Sequence, residues 1–448
     1  MRRIMRIRPA NVTAFAPCIG NIPIMNWNYK ISPVHHFLNA NMGQQGITTM
    51  NQPFSPALSA ADLTEAQFDK LTETTEFQHL LQVIGERVEE FEEKRHIPRD
   101  VIDLMKKARI FRSATPKKFG GDAMAPHHFL KMVDKIGTVD GSAAWVSAFG
   151  SANTYTAALC EEAQAVMYAD GPDQVFAGGL HPVQEATRVD GGWQVSGRWK
   201  FASGCMGADW IGVGIAGKPQ GAEEGAPPTV MMAVAPAAEV EIIESWDVSG
   251  MQGTGSHDTT VTDKYYPDMW ICERGAPGVV DEPLYKYPAM AYQAQVHAAC
   301  NLGLARAAIE KAKSVSGAAK IAVGHARLCD RPYYLSGIAE CEALLRGARA
   351  FFYEAAEEAW DNLMKGDPVT LDQNNMLRLS ATNAARVGAE VVQRAYTIAG
   401  MGVISKKNPM QRYLRDAMVV TQHAAVTDIV LESAGRVLTG LDAPRGYP

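Results

Sequence analysis

The chain changes its hydrophobic rhythm twice, from helical spacing to alternation and back, and few folds accommodate that order. Over residues 63–165, Phe77, Leu80, Leu81, Val83 and Ile84 share one helical stripe, and the acidic-basic run 86–94 suits a solvated face. Pro98 opens a second predicted helix over 99–108, where the missing N–H costs nothing. A third is predicted over 127–136. From 174 to 271 the spacing becomes that of strands, with a hairpin turn at Asp190-Gly191 and short strands at 210–215, 229–235 and 240–243. From 292 to 439 it is helical again, with long helices predicted over 294–316, 333–364 and 377–398 and a fourth near 411–438. These segments predict an α+β chain: an N-terminal helical domain (61–170), a central β-domain (171–280) and a C-terminal four-helix bundle (281–448).

With 448 residues and 47% hydrophobic content, the chain can bury a core of that size. A net charge of −6 argues against nucleic acid or an anionic membrane as partner. No apolar run approaches the roughly 20 residues that span a bilayer. Seven cysteines lie scattered without paired spacing, which points to a reducing cytoplasm and no disulfide framework. The histidines are dispersed, so no metal site is expected. Residues 1–60 read differently: no acid precedes Asp62, whereas Arg2, Arg3, Arg6 and Arg8 are basic. A transit-like presequence and an upstream extension before Met50 both fit; in either case residues 1–60 are expected to be poorly ordered, and the first fifty are expected to be dispensable.

Five stretches carry chemistry or close packing. They are Ile97 to Ile110 with Pro116-Lys117-Lys118-Phe119-Gly120-Gly121; Gly197 to Gly204; Trp246 to Asp258; Ala399-Gly400-Met401-Gly402; and Arg412 to Ala417. Gly250, Gly253 and Gly255 would let a loop pass close to a planar ring or pyrophosphate, and Ser203, Thr254 and Ser256 offer short hydroxyls. Trp199 suits either β-core packing or a cofactor wall, and Asp416 suits a structural role in the bundle. In this order the stretches resemble the acyl-CoA dehydrogenase superfamily over residues 63–441. The resemblance implies a flavin bound near Trp199, Ser203, Thr254 and Ser256, a homotetramer, and Gly400 and Gly402 reaching a neighbour's flavin.

The dehydrogenases of that superfamily use a carboxylate base in the segment that here runs Thr421-Gln422-His423-Ala424, and no glutamate lies between Glu390 and Glu432. The segment resembles instead the oxygenase components of two-component aromatic hydroxylases. In those a histidine in an Ala-His-Ala-type context and a serine in a Ser-Ser-Gly-Cys context flank the reacting edge of the flavin. By that resemblance His423 and Ser203 are the catalytic candidates, Trp145 and Asn153 line the substrate pocket, and Cys205 is a packing residue. Asn153 stands where those enzymes carry a substrate-side histidine, which implies a less polar site and a neutral aromatic such as indole. The implied activity is hydroxylation or epoxidation of a small aromatic with O2 and reduced FAD or FMN. No Gly-x-Gly-x-x-Gly unit joins a strand to a helix, so an NAD(P)H-dependent flavin reductase is expected as a separate partner. An FAD-dependent acyl-CoA dehydrogenase with a relocated base and a non-catalytic protein on the same fold remain open alternatives.

Overall fold

The stripe around Leu80 forms a helix because its apolar residues find a core. In the computed structural model Thr75–Lys94 is helical, the Thr74 hydroxyl caps it by accepting from Phe77 N at 3.3 Å, and Phe77, Leu80, Ile84 and Phe91 are buried. The structure describes residues 63–447 except 219, 220, 222–224, 226, 316–326 and 445; the expectations for residues 1–60 lie outside the described residues. Arg99–Lys107 and Pro126–Gly137 follow, the latter starting on its own proline.

Seven strands then form a sheet: β1 (Phe176–Val189), β2 (Gly192–Ala202), β3 (Trp210–Gly217), β4 (Thr229–Pro236), β5 (Glu241–Ile243), β6 (His257–Pro267) and β7 (Ile271–Glu273). Their order is β5-β6-β2-β1-β3-β4-β7, with β1 and β3 parallel and every other pair antiparallel. Asp190 and Gly191 form the two-residue turn that sets Val189 opposite Gly192, and Gly191 takes the positive φ that the turn requires. Trp193, Val195, Trp199, Ile211 and Val213 pack in the core of the sheet.

The last third holds the long helices Ala289–Val315, Pro332–Met364 and Leu371–Ile398. Ala289–Val315 is buried on nearly every side, as a helix at the centre of a bundle must be. The fourth predicted helix departs from expectation. It is two helices, Pro409–Val420 and Asp428–Leu438, because the backbone becomes extended at His423 and Thr427 and makes only a short turn over Ala424–Val426. The interruption turns a would-be helical residue, His423, toward the space between sheet and bundle.

Candidate active site

A cavity of about 610 Å³ lies where the N-terminal helices, the sheet and the bundle meet, and Trp145, Ser203, Thr254, Ser256, His297 and His423 are among its walls. Trp145 comes from the helix Gly141–Ser147, whose N-cap, Asp140, accepts from Ala143 N at 2.8 Å. Ser203 follows β2. Thr254 and Ser256 come from the loop before β6.

On the sheet side the hydroxyls form a chain with one possible polarity. Thr254 Oγ1 donates to the Met251 carbonyl at 2.9 Å, so its single hydrogen is used. The 2.7 Å contact between Thr254 and Ser256 then requires Ser256 to donate, and the 2.6 Å contact between Ser256 and Ser203 requires Ser203 to donate. Ser203 Oγ in turn accepts from Trp145 Nε1 at 3.1 Å. A hydroxyl oxygen has two lone pairs, so Ser203 keeps one acceptor site after these bonds are made. The loop beneath is fixed from the bundle: Met251, at the left-handed φ of 54°, gives its N–H to Asp416 Oδ1 at 2.6 Å. Asp416 is buried near Asp140, and burial with that neighbouring charge pushes its carboxyl up to about 7. Two of the loop glycines serve this packing. A Cβ on Gly250 would stand 2.5 Å from Arg415 O, and one on Gly255, at φ 55°, 2.9 Å from His96 Cβ.

On the helical side, His297 from Ala289–Val315 stacks on Trp145 with ring centroids 4.2 Å apart, and His423 meets His297 edge-on, also at 4.2 Å. Both rings are held neutral. Burial pushes His423 down to about 4, with the Arg378 charge adding to it, and burial together with His423 holds His297 well below the usual histidine range. His423 Nδ1 accepts from Ala425 N at 3.3 Å, so the neutral ring carries its proton on Nε2. His297 Nδ1 is buried with no partner among the described residues. No aspartate or glutamate lines the cavity among the described residues.

The structure therefore brings Ser203, Thr254, Ser256, Trp145 and His423 around one space, and separates four other candidates from it. Trp199 is fully buried in the sheet core, where its Nε1 donates to Gly214 O at 2.7 Å; it packs and does not line the cavity. Asn153 turns away as well: its amide donates to Phe111 O at 3.0 Å and to Thr115 Oγ1 at 2.9 Å, so its identity says nothing about substrate polarity. Gly400 and Gly402 lie outside this chain's cavity, in the turn after Leu371–Ile398. Cys205 is buried, which pushes its thiol up to about 12, as suits a packing residue. Sequence reading missed His297 and Arg378. Their one signal is a polar residue inside an Ala-rich helical run, and the buried Gln295 and Asn301 share it without lining the cavity.

The cavity suits a flavin by its chemistry. Ser203's open acceptor site matches a ring N–H, the neutral histidines present a donor and an unpartnered nitrogen, and the aromatic walls match a planar ring.

Comparison with known proteins agrees. Residues 295–428 match the model of the acyl-CoA dehydrogenase C-terminal domain. The indole-3-acetate monooxygenase of Pseudomonas putida is 43% identical over 83% of this chain and 95% of its own length. Its namesake from Acinetobacter baumannii is 37% identical over 86% of this chain and 99% of its own. The crystal structure of 3-HSA hydroxylase from Rhodococcus sp. RHA1 superposes with a TM-score of 0.76 at 25% identity, covering 84% of this chain and 99% of that one. Among the described residues no helix is long and apolar enough to cross a membrane. The cavity without a carboxylate and the relatives that share its fold agree on one assignment: this chain belongs to the flavin-dependent monooxygenases built on the acyl-CoA dehydrogenase fold, as an oxygenase component that takes reduced flavin from a separate reductase and oxygenates a small aromatic.

Proposed function

We propose that this oxygenase acts on an indole-type aromatic held against Trp145, His297 and His423. The observation that carries the reading is the absence of a cavity carboxylate among the described residues, combined with a neutral histidine whose Nε2–H is free to donate. A dehydrogenase needs a base that removes a proton from carbon, and His423 is poorly suited because burial suppresses its proton affinity. The indole-3-acetate monooxygenases among the relatives supply the aromatic class.

Reduced flavin, when bound, supplies the oxygen-activating chemistry. Ser203 would hold an N–H of the flavin ring through its open lone pair, while the Trp145 bond and the hydroxyl chain stop it from rotating away. His423 holds a proton on Nε2 toward the reacting oxygen and orients the substrate. Phe201 and Trp246, edge-to-face at 6.2 Å, line the same space and limit entry of water, which would waste the activated oxygen.

The test is turnover with a generic flavin reductase, NADH and air over a panel of indole, indole-3-acetate and 4-hydroxyphenylacetate, following oxygen incorporation. Product from an indole compound supports the reading. Oxygenation of the phenol alone removes the substrate class, and anaerobic reduction of bound flavin by an acyl-CoA removes the reaction class.

A homotetramer in the cytoplasm belongs to the same proposal. Met401, Ile404 and Ile429 are 77%, 57% and 73% exposed, more apolar surface than the end of a lone bundle should show water. Gly400 and Gly402 border Met401 and would meet a neighbour's flavin there. A monomer by sedimentation at micromolar concentration would rule the assembly out.

A further inference from the structure

Arg378 is a buried cation without a counter-ion among the described residues. It projects from Leu371–Ile398, is 6% exposed and lines the same cavity as His423. Its guanidinium makes one hydrogen bond, Nη1 to Met290 O at 3.1 Å, and lies over the Tyr447 ring at 5.5 Å. Its Nε has no partner, and no carboxylate comes within ion-pair distance among the described residues. Arg412, similarly buried, shows the usual solution: it faces Asp140 at 3.6 Å. An unpaired guanidinium kept out of water is costly, and the cost is tolerated where a ligand brings the missing charge.

The position fits such a ligand. Tyr447 is fixed beneath Arg378 by its hydroxyl, which donates to Asn375 Oδ1 at 2.7 Å. Arg274 and Tyr155 line the same cavity, and both arginines exert their charge on Tyr155. Arg378 is also close enough to bear on His423. Neighbours thus run from Ser203 through Trp145, His297 and His423 to the buried guanidinium of Arg378. An aromatic ring placed among the histidines would direct a short acidic side chain at the guanidinium.

We propose that Arg378 binds the carboxylate of an aryl-acetate substrate and is the residue that makes this site select an aromatic acid over its neutral analogues. The inference rests on the indole-type reading above and deepens it. Guanidinium and carboxylate pair as two parallel charge-assisted hydrogen bonds, which a carboxamide cannot reproduce.

The test pairs indole-3-acetate with indole-3-acetamide, using both KM in the coupled assay and direct binding by calorimetry to the full chain. The unaltered protein should bind the acid about 10- to 100-fold more tightly than the amide. Arg378→Met should raise the acid's KM by a similar factor, at least ten times its effect on the amide, and Arg378→Lys should recover part of the preference. Acid and amide bound within threefold by the unaltered protein, or equal losses on both in Arg378→Met, would overturn the assignment. The first comparison needs no variant, so a misfolded substitution does not shelter the idea. If neither compound is turned over, the substrate reading fails on its own, while the calorimetric preference still decides what Arg378 does.

Discussion

The two walls of the cavity differ in how completely their polar atoms are satisfied. On the sheet side Trp145, Ser203, Ser256 and Thr254 each spend their hydrogen on the next group, ending at a backbone carbonyl. On the bundle side His297 Nδ1 and Arg378 Nε are buried without partners, and the Arg378 guanidinium has no acid within ion-pair distance among the described residues. Unsatisfied buried groups are normally removed by selection for stability, so those that persist in a cavity point to what arrives there. The sheet wall has every donor placed before any ligand binds and keeps only the Ser203 acceptor site open; the bundle wall leaves buried nitrogens for a ligand to complete. Substitutions on the first wall should cost structure and a little coupling, and on the second mostly chemistry.

The hardest blow to that contrast is His423→Ala. If Nε2–H holds the proton at the reacting oxygen, product formation should fall by about 10²–10⁴-fold, and NADH should be diverted almost wholly to hydrogen peroxide. Product and peroxide measured per NADH oxidised would show it. A variant that stays coupled would return His423 to the class of packed bundle histidines.

Lowering pH probes the same residue without mutation. His423 falls from 6.5 when unfolded to about 4 when folded, so the unfolded chain takes up the proton first. The stability it contributes is complete above pH 6.5 and lost as pH falls toward 4, by up to about 3 kcal/mol. Activity should accordingly lack an acid limb near 6.5. Melting curves between pH 7 and pH 4 should show the native protein losing more than His423→Gln, and equal losses would place the acid sensitivity elsewhere.

Ser203→Ala tests the sheet wall. It removes the acceptor of Trp145 Nε1 and the donor to Ser256 together. Losing one such bond costs about 0.5–1.5 kcal/mol, so peroxide release should quicken by about 2- to 12-fold while substrate affinity holds. A collapse of turnover comparable with that of His423→Ala would mean the two walls are not different in kind.

How much of this was legible in the sequence depended on whether a signal was local. The rhythm of the chain exposed the helical and strand segments, and Asp190-Gly191 marked its turn, because periodicity and turn chemistry belong to neighbouring residues. Ser203 and His423 were found through short motifs. The break that aims His423 was missed: residues 411–438 keep a helical pattern, and only the packing of Ala425 and Val426 makes the interruption worthwhile. The glycines at 250 and 255 were rightly seen as places of close approach, but what approaches is Arg415 and His96, residues remote in sequence. Arg378 was invisible for the same reason, since a missing counter-ion is a property of the folded neighbourhood.

Trp199→Phe should have the smallest effect and marks where the sheet wall ends. The indole is wholly buried, its Nε1 satisfied by Gly214 O, and its neighbours are strand glycines whose Cβ atoms would stand 3.0–3.1 Å from it at positions 197 and 179. Phenylalanine keeps most of the apolar contact and forfeits the hydrogen bond, a loss of about 1 kcal/mol, visible as a melting point lower by about one degree in a chain of this size. Reduced-flavin affinity and the ratio of product to peroxide should not move, because the ring packs in the sheet and the cavity is bounded by Ser203 and the loop from Met251 to Ser256. A tenfold weaker flavin affinity with an unchanged melting point would show that the wall extends through Trp199 to the cofactor. The separation of a structural tryptophan in the sheet from a working one at Trp145 would then be lost.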